Sequence, residues 1–369
     1  MNWGAAVLLT SVLAGGSLAA GLDCLSCHDE KGASFKASAH GSLACTDCHA
    51  SIKAFPHPEQ QTRVNCAGCH AESASGVTAS VHAKVGAQPC LNCHGDAHGI
   101  LPSKNPKSMT YASNLPRTCG ACHGDAKMAK QFGLSEVYSL YMDSIHGFAL
   151  TKDGLLVAAS CSSCHGSHLI LSSKNLNSRT NYRNIPSTCG GCHGGSEQAY
   201  RAGIHGQLLA AGSAQAPVCT SCHTAHQIGS VHTASLQIKT TATCGGCHQE
   251  ELATYRDTFH AQVSALGYAQ VARCWDCHDH HNILPASDAK STIAPANLQA
   301  TCAKCHPGAT ASFVQYDPHA DSHNGKKYPL LHLSAVFMNL LLAGFLGFCA
   351  LHTALWFIRS RFGKGESHD

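Results

Sequence analysis

Eleven times in this 369-residue chain a Cys-x-x-Cys pair is followed at once by His, and no such pair lacks the His. The first six are Cys24-x-x-Cys27-His28, Cys45-x-x-Cys48-His49, Cys66-x-x-Cys69-His70, Cys90-x-x-Cys93-His94, Cys119-x-x-Cys122-His123 and Cys161-x-x-Cys164-His165. Five more follow: Cys189-x-x-Cys192-His193, Cys219-x-x-Cys222-His223, Cys244-x-x-Cys247-His248, Cys274-x-x-Cys277-His278 and Cys302-x-x-Cys305-His306. Together they use 22 of the 23 cysteines. Two thiols at this spacing form thioethers with the vinyl groups of a c-type haem, and the adjacent imidazole ligates the iron. One match could be a zinc or thioredoxin-like pair, but eleven without exception specify eleven covalent haems.

A second histidine series runs beside the first. Another His lies 12 residues after the motif His in four cases: His28 to His40, His70 to His82, His193 to His205 and His248 to His260. His306 to His319 is 13, and His123 to His146 is 23, an insertion of roughly three helical turns. The alternate motifs carry a His closer behind: His98 after His94, His168 after His165, His226 after His223 and His281 after His278. His57 follows His49 at a longer interval, His280 competes with His281, and His323 competes with His319. A His three or four residues beyond a motif ligand cannot reach the far face of its own haem, so it can serve only a neighbour.

The unit of sequence is therefore a repeat with two motifs and two further histidines. Repeats run from Cys24 to His57, Cys66 to His98, Cys119 to His168, Cys189 to His226 and Cys244 to His281, with a half repeat from Cys302 to His319. Eleven motif histidines are matched by eleven periodic ones, which supplies a sixth ligand for every iron. The spacing leaves open which histidine serves which haem.

These residues must be positioned by very little polypeptide. From Cys24 to His319 each motif has about 27 residues, too few for a side-chain core of its own. Aromatic residues are 6% and charged residues 13% of the chain, while Cys, His and Gly are abundant. The macrocycles must form much of the apolar interior. Breaker-free stretches such as 250–256 predict a helix leaving a motif and ending at a second ligand, and frequent Gly and Asn turns predict coil between. The expected fold class is mainly α with extensive coil and little β, an extended array of two-haem repeats. The formal charge of +3 misleads, because eleven haems bring up to 22 propionates, and an acidic product argues against a nucleic-acid partner.

Two segments address the membrane. Residues 1–20 are expected to be a signal peptide, with Ser17-Leu18-Ala19 at the cleavage site, although no Lys or Arg precedes the apolar run, and an uncleaved anchor is the alternative. Residues 21–325 are then the haem domain. Residues 326–369 are expected to be a transmembrane anchor with a short cytoplasmic tail. Leu330 to Ile358 contains no charged side chain and exceeds the ~20 residues needed to span. Arg359, Arg361 and Lys364 follow it, and Lys326 and Lys327 precede it. Because c-type haem is attached outside the cytoplasmic membrane, the haem domain is expected in the periplasm. Tyr328 and Trp356 read as interfacial anchors and Cys349 as a membrane thiol. His332 and His352 lie about 30 Å apart on nearly opposite helix faces, so they do not form one site.

The paired motifs resemble the multihaem cytochrome c families with doubled Cys-x-x-Cys-His motifs, loosely the cytochrome c3-like ones, from Cys24 to about His323. The run Leu351-His352-Thr353-Ala354-Leu355-Trp356 with Arg359 resembles the helix end of membrane-anchored cytochrome c subunits of bacterial quinone-oxidoreductase complexes. That resemblance implies a b-type cytochrome or other quinone-reactive membrane subunit as one partner. Periplasmic or outer-membrane cytochromes are the other. With both axial positions filled, the expected function is electron transfer and no catalytic residue is assigned. The competing class is a multihaem reductase of a nitrogen or sulfur oxyanion, which needs one open-coordinate iron. No Cys-x-x-Cys-Lys motif occurs.

Overall fold

A computed structural model describes residues 23–133 and 136–362. The expected signal peptide and the tail beyond 362 lie outside the described residues. Among those residues there is no strand, and nineteen α-helices alternate with coil and five short 3-10 turns. The expected mainly-α fold is therefore what forms. The chain divides into two compact units, Met1–Asn184 and Ile185–Asp369, so the division falls between the third and fourth repeats.

Most helices are one or two turns long, and their limits follow from capping rather than from length. The second motif of a repeat is a single turn such as Cys161–His165, Cys219–His223 or Cys274–His278. A turn this short cannot sustain itself, because nucleation costs more than one hydrogen bond returns. The residue before the second Cys supplies the remedy. Asp47, Ser163, Ser221 and Asp276 each accept the backbone N–H of the residue preceding the first Cys, at 2.8–3.0 Å. The first motifs of the third and fifth repeats carry Ala121 and Gly246 there instead and lie at the end of an arriving helix, Leu115–His123 and Ala234–Gly245.

Three connectors between repeats share one hydrogen-bonded design. Buried Ser108, Ser178 and Ser291 each donate to the carbonyl seven residues upstream, of Leu101, Leu171 and Leu284, at 3.0–3.2 Å. Asn114, Asn184 and Asn297 each span two carbonyls of the same loop at 2.8–2.9 Å. Irregular backbone is thereby satisfied by its own side chains, as a buried loop requires. Ser291→Ala is expected to cost about 1–3 kcal/mol, because the buried Leu284 carbonyl loses its donor. A denaturation midpoint unchanged from the parent protein would contradict this.

Few side chains form a core of their own. Among the described residues the buried apolar set includes Leu150, Tyr200, Leu209, Val218, Tyr255 and Leu284, and several of the most buried positions are Ser or Thr. The last helix, Pro329–Phe362, is exposed along its length. At 1.5 Å per residue its 34 residues reach about 51 Å, beyond the ~30 Å hydrocarbon core. It is the one helix among the described residues long and apolar enough to cross a membrane.

Candidate haem sites

The helices that leave the first motifs do not run on to the second ligand. Gly194–Ala202 and Gln249–Arg256 stop, and His205 and His260 open new helices, Ile204–Ala210 and Phe259–Ala265. In the third repeat the insertion holds an additional helix, Ala126–Phe132, before Val137–Met142, and His146 lies in the first turn of Ile145–Thr151. Before His205 the break falls at Gly203, and in four other repeats a hydroxyl side chain marks it. Ser144 and Thr258 accept the N–H of Gly147 and Ala261, and Ser38 and Ser80 accept the N–H of His40 and His82. A short hydroxyl side chain two residues before the ligand thus fixes its backbone.

Three tyrosines, five residues before a second-series His, secure these helices. The hydroxyls of Tyr141, Tyr200 and Tyr255 donate at 2.8 Å to the carbonyls of Ala159, Pro217 and Ala272, each two residues before a second-motif Cys. Burial first, with the neighbouring cysteines adding to it, pushes the Tyr255 hydroxyl up to about 12. Phe35 and Val77 occupy the equivalent positions in the first two repeats, so the clamp belongs to the last three full repeats. The sequence signal was present, a Tyr at constant spacing, but nothing in it pointed to haem chemistry.

Nine motif histidines face a second-series histidine at nearly constant range. The pairs are His28–His57, His49–His98, His70–His40, His94–His168 and His123–His82 in the first unit. In the second unit they are His223–His281, His248–His205, His278–His319 and His306–His260. Ring centroids lie 5.9–6.2 Å apart while interplanar angles run from 14° to 80°. Rings in direct contact would change separation with tilt. A metal–imidazole bond is about 2 Å and the ring centre roughly 1.1 Å beyond it, so two imidazoles across one metal stand about 6 Å apart whatever their rotation. The residues fit an iron between each pair.

The pairing resolves what spacing left open. His40, His82, His205 and His260 face motif histidines of the following repeat, and His98, His168, His281 and His319 face those of the preceding one. His57 alone of these nine faces a motif of its own repeat. Backbone bonds reinforce the exchange: Ala39 N–H to the Ile100 carbonyl at 2.7 Å, Val81 to Ile170 at 2.9 Å and Ile204 to Ile283 at 2.8 Å. Within each unit, adjacent repeats are laced together by the residues that would hold haem. His281, not His280, faces His223, and His280 stands 4.7 Å aside, exposed beside Asp279. His319, not His323, faces His278, and His323 is exposed beside Asp321.

Protonation states agree with ligation. Burial first and the facing imidazole second lower His82, His94, His205, His260 and His278 below the ordinary imidazole range, favouring the neutral form that binds metal. His57 Nδ1–H donates to the Pro58 carbonyl at 3.0 Å, which leaves Nε2 free to ligate. A cavity of about 300 Å³ is lined by His28, His57, Cys27, Phe55 and Pro56.

The cysteines of successive motifs are neighbours. Within a repeat, Cys24 neighbours Cys45, Cys66 neighbours Cys90, Cys119 neighbours Cys161, Cys189 neighbours Cys219, and Cys244 neighbours Cys274. Between repeats, Cys48 lies near Cys69 and Cys66, Cys93 near Cys119, Cys222 near Cys244, and Cys277 near Cys302. Within each unit the attachment points therefore follow one another in chain order. Burial first and these facing thiols second raise Cys93, Cys222 and Cys277 above the ordinary thiol value.

In the second to fifth repeats the residue after the second-motif His adopts a left-handed backbone: Gly95 at φ 83°, Gly166 at 80°, Thr224 at 64° and Asp279 at 67°. Gly takes this conformation freely, whereas a side chain is strained by about 1–3 kcal/mol. Thr224→Gly is expected to stabilise the protein by about 1 kcal/mol after the glycine's entropic cost. A raised thermal midpoint checks this, and a lowered one would mean that the Thr224 hydroxyl's 2.8 Å bond to the Gln227 carbonyl outweighs the strain.

A family model described as a doubled CXXCH motif matches residues 210–253, which contain the second motif of the fourth repeat and the first of the fifth. A search of curated proteins and one of solved structures found no match. The matched motif supports a multihaem c-type cytochrome with covalently bound haem c, a class that acts in electron transfer.

Proposed function

We propose that the chain carries eleven covalent haems, each iron held between a motif histidine and a second-series histidine, and conducts electrons without a catalytic iron. The constant ring separation of about 6 Å at nine motif histidines carries this reading, since it reserves both axial positions for imidazole. When bound, haem supplies an iron that alternates between ferrous and ferric states. The polypeptide's task is to fix spacing, exclude water and set ligand orientation. Adjacent attachment cysteines keep successive sites close, and ligands exchanged between repeats hold that spacing rigid.

The helix Pro329–Phe362 supports a place in the bacterial cytoplasmic membrane, with the haem domain in the periplasm and Arg359 and Arg361 on the cytoplasmic side. Electrons then pass between the quinone pool and periplasmic or outer-membrane cytochromes. The resemblance of the Leu351–Trp356 run to anchored cytochrome c subunits makes a b-type cytochrome or other quinone-reactive membrane subunit the partner at that end, reached through the one candidate span among the described residues. Purification from membranes is expected to recover such a subunit, and the complex is expected to be reduced by a quinol. Isolation of a lone chain inert to quinol would contradict the quinone-pool role.

A further inference from the structure

His319 differs from His205, His260 and His281 of its unit. His205 and His260 are fixed by the helices that begin with them, and His281 follows its motif by three residues. His319 lies in coil after the 3-10 turn Phe313–Gln315, where no regular structure orients an imidazole. Its ring nevertheless stands 6.2 Å from that of His278.

Side-chain contacts replace the missing helix. His319 Nδ1 is 3.0 Å from Thr254 Oγ1. The Thr254 hydroxyl has one hydrogen, and the Glu250 and Glu251 carbonyls, at 3.2 and 3.1 Å, can only accept it. With its hydrogen given to either carbonyl, Thr254 accepts from His319, the arrangement that places the ring proton on Nδ1 and leaves the Nε2 lone pair for iron. Thr254 rides on Gln249–Arg256, the helix that starts immediately after His248, so one site's attachment helix orients the ligand of the next. The backbone is held separately: Asp317 accepts the His319 N–H at 2.9 Å and the Tyr328 hydroxyl at 2.5 Å. Tyr328 immediately precedes the membrane helix, and His332 in its first turn donates to the Ser322 carbonyl at 2.8 Å.

We propose that Thr254 is the positioning residue for His319 as a haem ligand, and that the Asp317–Tyr328 bond ties this ligand to the start of the membrane helix. The inference rests on His319 being an iron ligand. A hydrogen bond on Nδ1 strengthens imidazole as a donor and stabilises the oxidised iron, lowering the potential of the site opposite His278.

The full-length haem-loaded protein carries the test, read by redox titration and low-temperature EPR. Thr254→Val is expected to move one redox component to higher potential and shift the g-values of one low-spin signal, with haem content unchanged. Thr254→Ser should restore both. Should Thr254→Val fail to assemble, Thr254→Ala and the Asp317→Asn/Tyr328→Phe double variant are expected to perturb the same component. His319→Ala is the reference: it should convert that same component to a high-spin, carbon-monoxide-binding form. Unmoved components in the Thr254 variants, alongside that conversion, would overturn the positioning role alone. No change in His319→Ala would instead remove the ligand assignment beneath it.

Discussion

His205→Ala is expected to leave one iron five-coordinate, and that iron is the one attached through Cys244 and Cys247, not the one attached through Cys189 and Cys192. His205 lies 12 residues after His193, and proximity in sequence assigns it there. Its ring instead faces His248 at 6.2 Å, in the following repeat. Truncation to Ala removes the sixth ligand, and the Ile204 N–H bond to the Ile283 carbonyl holds the start of the helix in place. One haem in eleven should become high-spin in the ferric state and bind carbon monoxide when reduced. The site is identified by combining variants. In a Cys244→Ser/Cys247→Ser background that haem is absent, so His205→Ala should add no high-spin signal. High-spin signal persisting in the combined variant would show that His205 serves another iron.

The Cys244→Ser/Cys247→Ser variant is itself expected to have the larger functional effect. Its mass should correspond to ten haems, and the row of attachment points is interrupted in the fifth repeat. Cys222 neighbours Cys244 on one side and Cys274 neighbours it on the other, so this site lies between the two. Only the sites of His278 and His306 follow it in the chain. When electrons are supplied from the membrane side, two of the ten haems are expected to reduce rapidly and the rest much more slowly. The parent protein should reduce as one fast population. Equal rates for all ten would mean that conduction does not run through the motifs in sequence order.

Much of this chemistry was legible in the residues because it is local. A Cys-x-x-Cys-His motif declares its cofactor within five positions, and the second histidine series could be matched one to one with the first. The pairing was not legible, because each histidine acts across a repeat boundary and spacing reports only distance along the chain. His40 lies 12 residues from His28 but faces His70, and His98 lies four from His94 but faces His49. The irregular cases make sense once the exchange is seen. In the first repeat His57, at its longer interval from His49, turns back to His28. The half repeat lacks a second motif, and His319 fills the place a following repeat would supply.

Other parts escaped notice because they contain no cofactor chemistry. The Ser108, Ser178 and Ser291 connectors recur with Asn114, Asn184 and Asn297 six residues later, a pattern as regular as the histidines. The clamp of Tyr141, Tyr200 and Tyr255 is equally periodic. Residues 250–256 carry helical composition and form a helix, but the break before His260, capped by the Thr258 hydroxyl, has no counterpart in composition. Capping energies of about 1 kcal/mol are enough to end helices this short.

The central claim, that every iron has two imidazole ligands and none is open for catalysis, is tested most directly by spectroscopy of the purified native protein. Its mass should equal the polypeptide plus eleven haems. The ferric state should be entirely low-spin, and carbon monoxide should leave the reduced spectrum unchanged. A high-spin ferric component, or a carbon monoxide complex formed by the native reduced protein, would reveal an open iron and favour a multihaem reductase over a conduit.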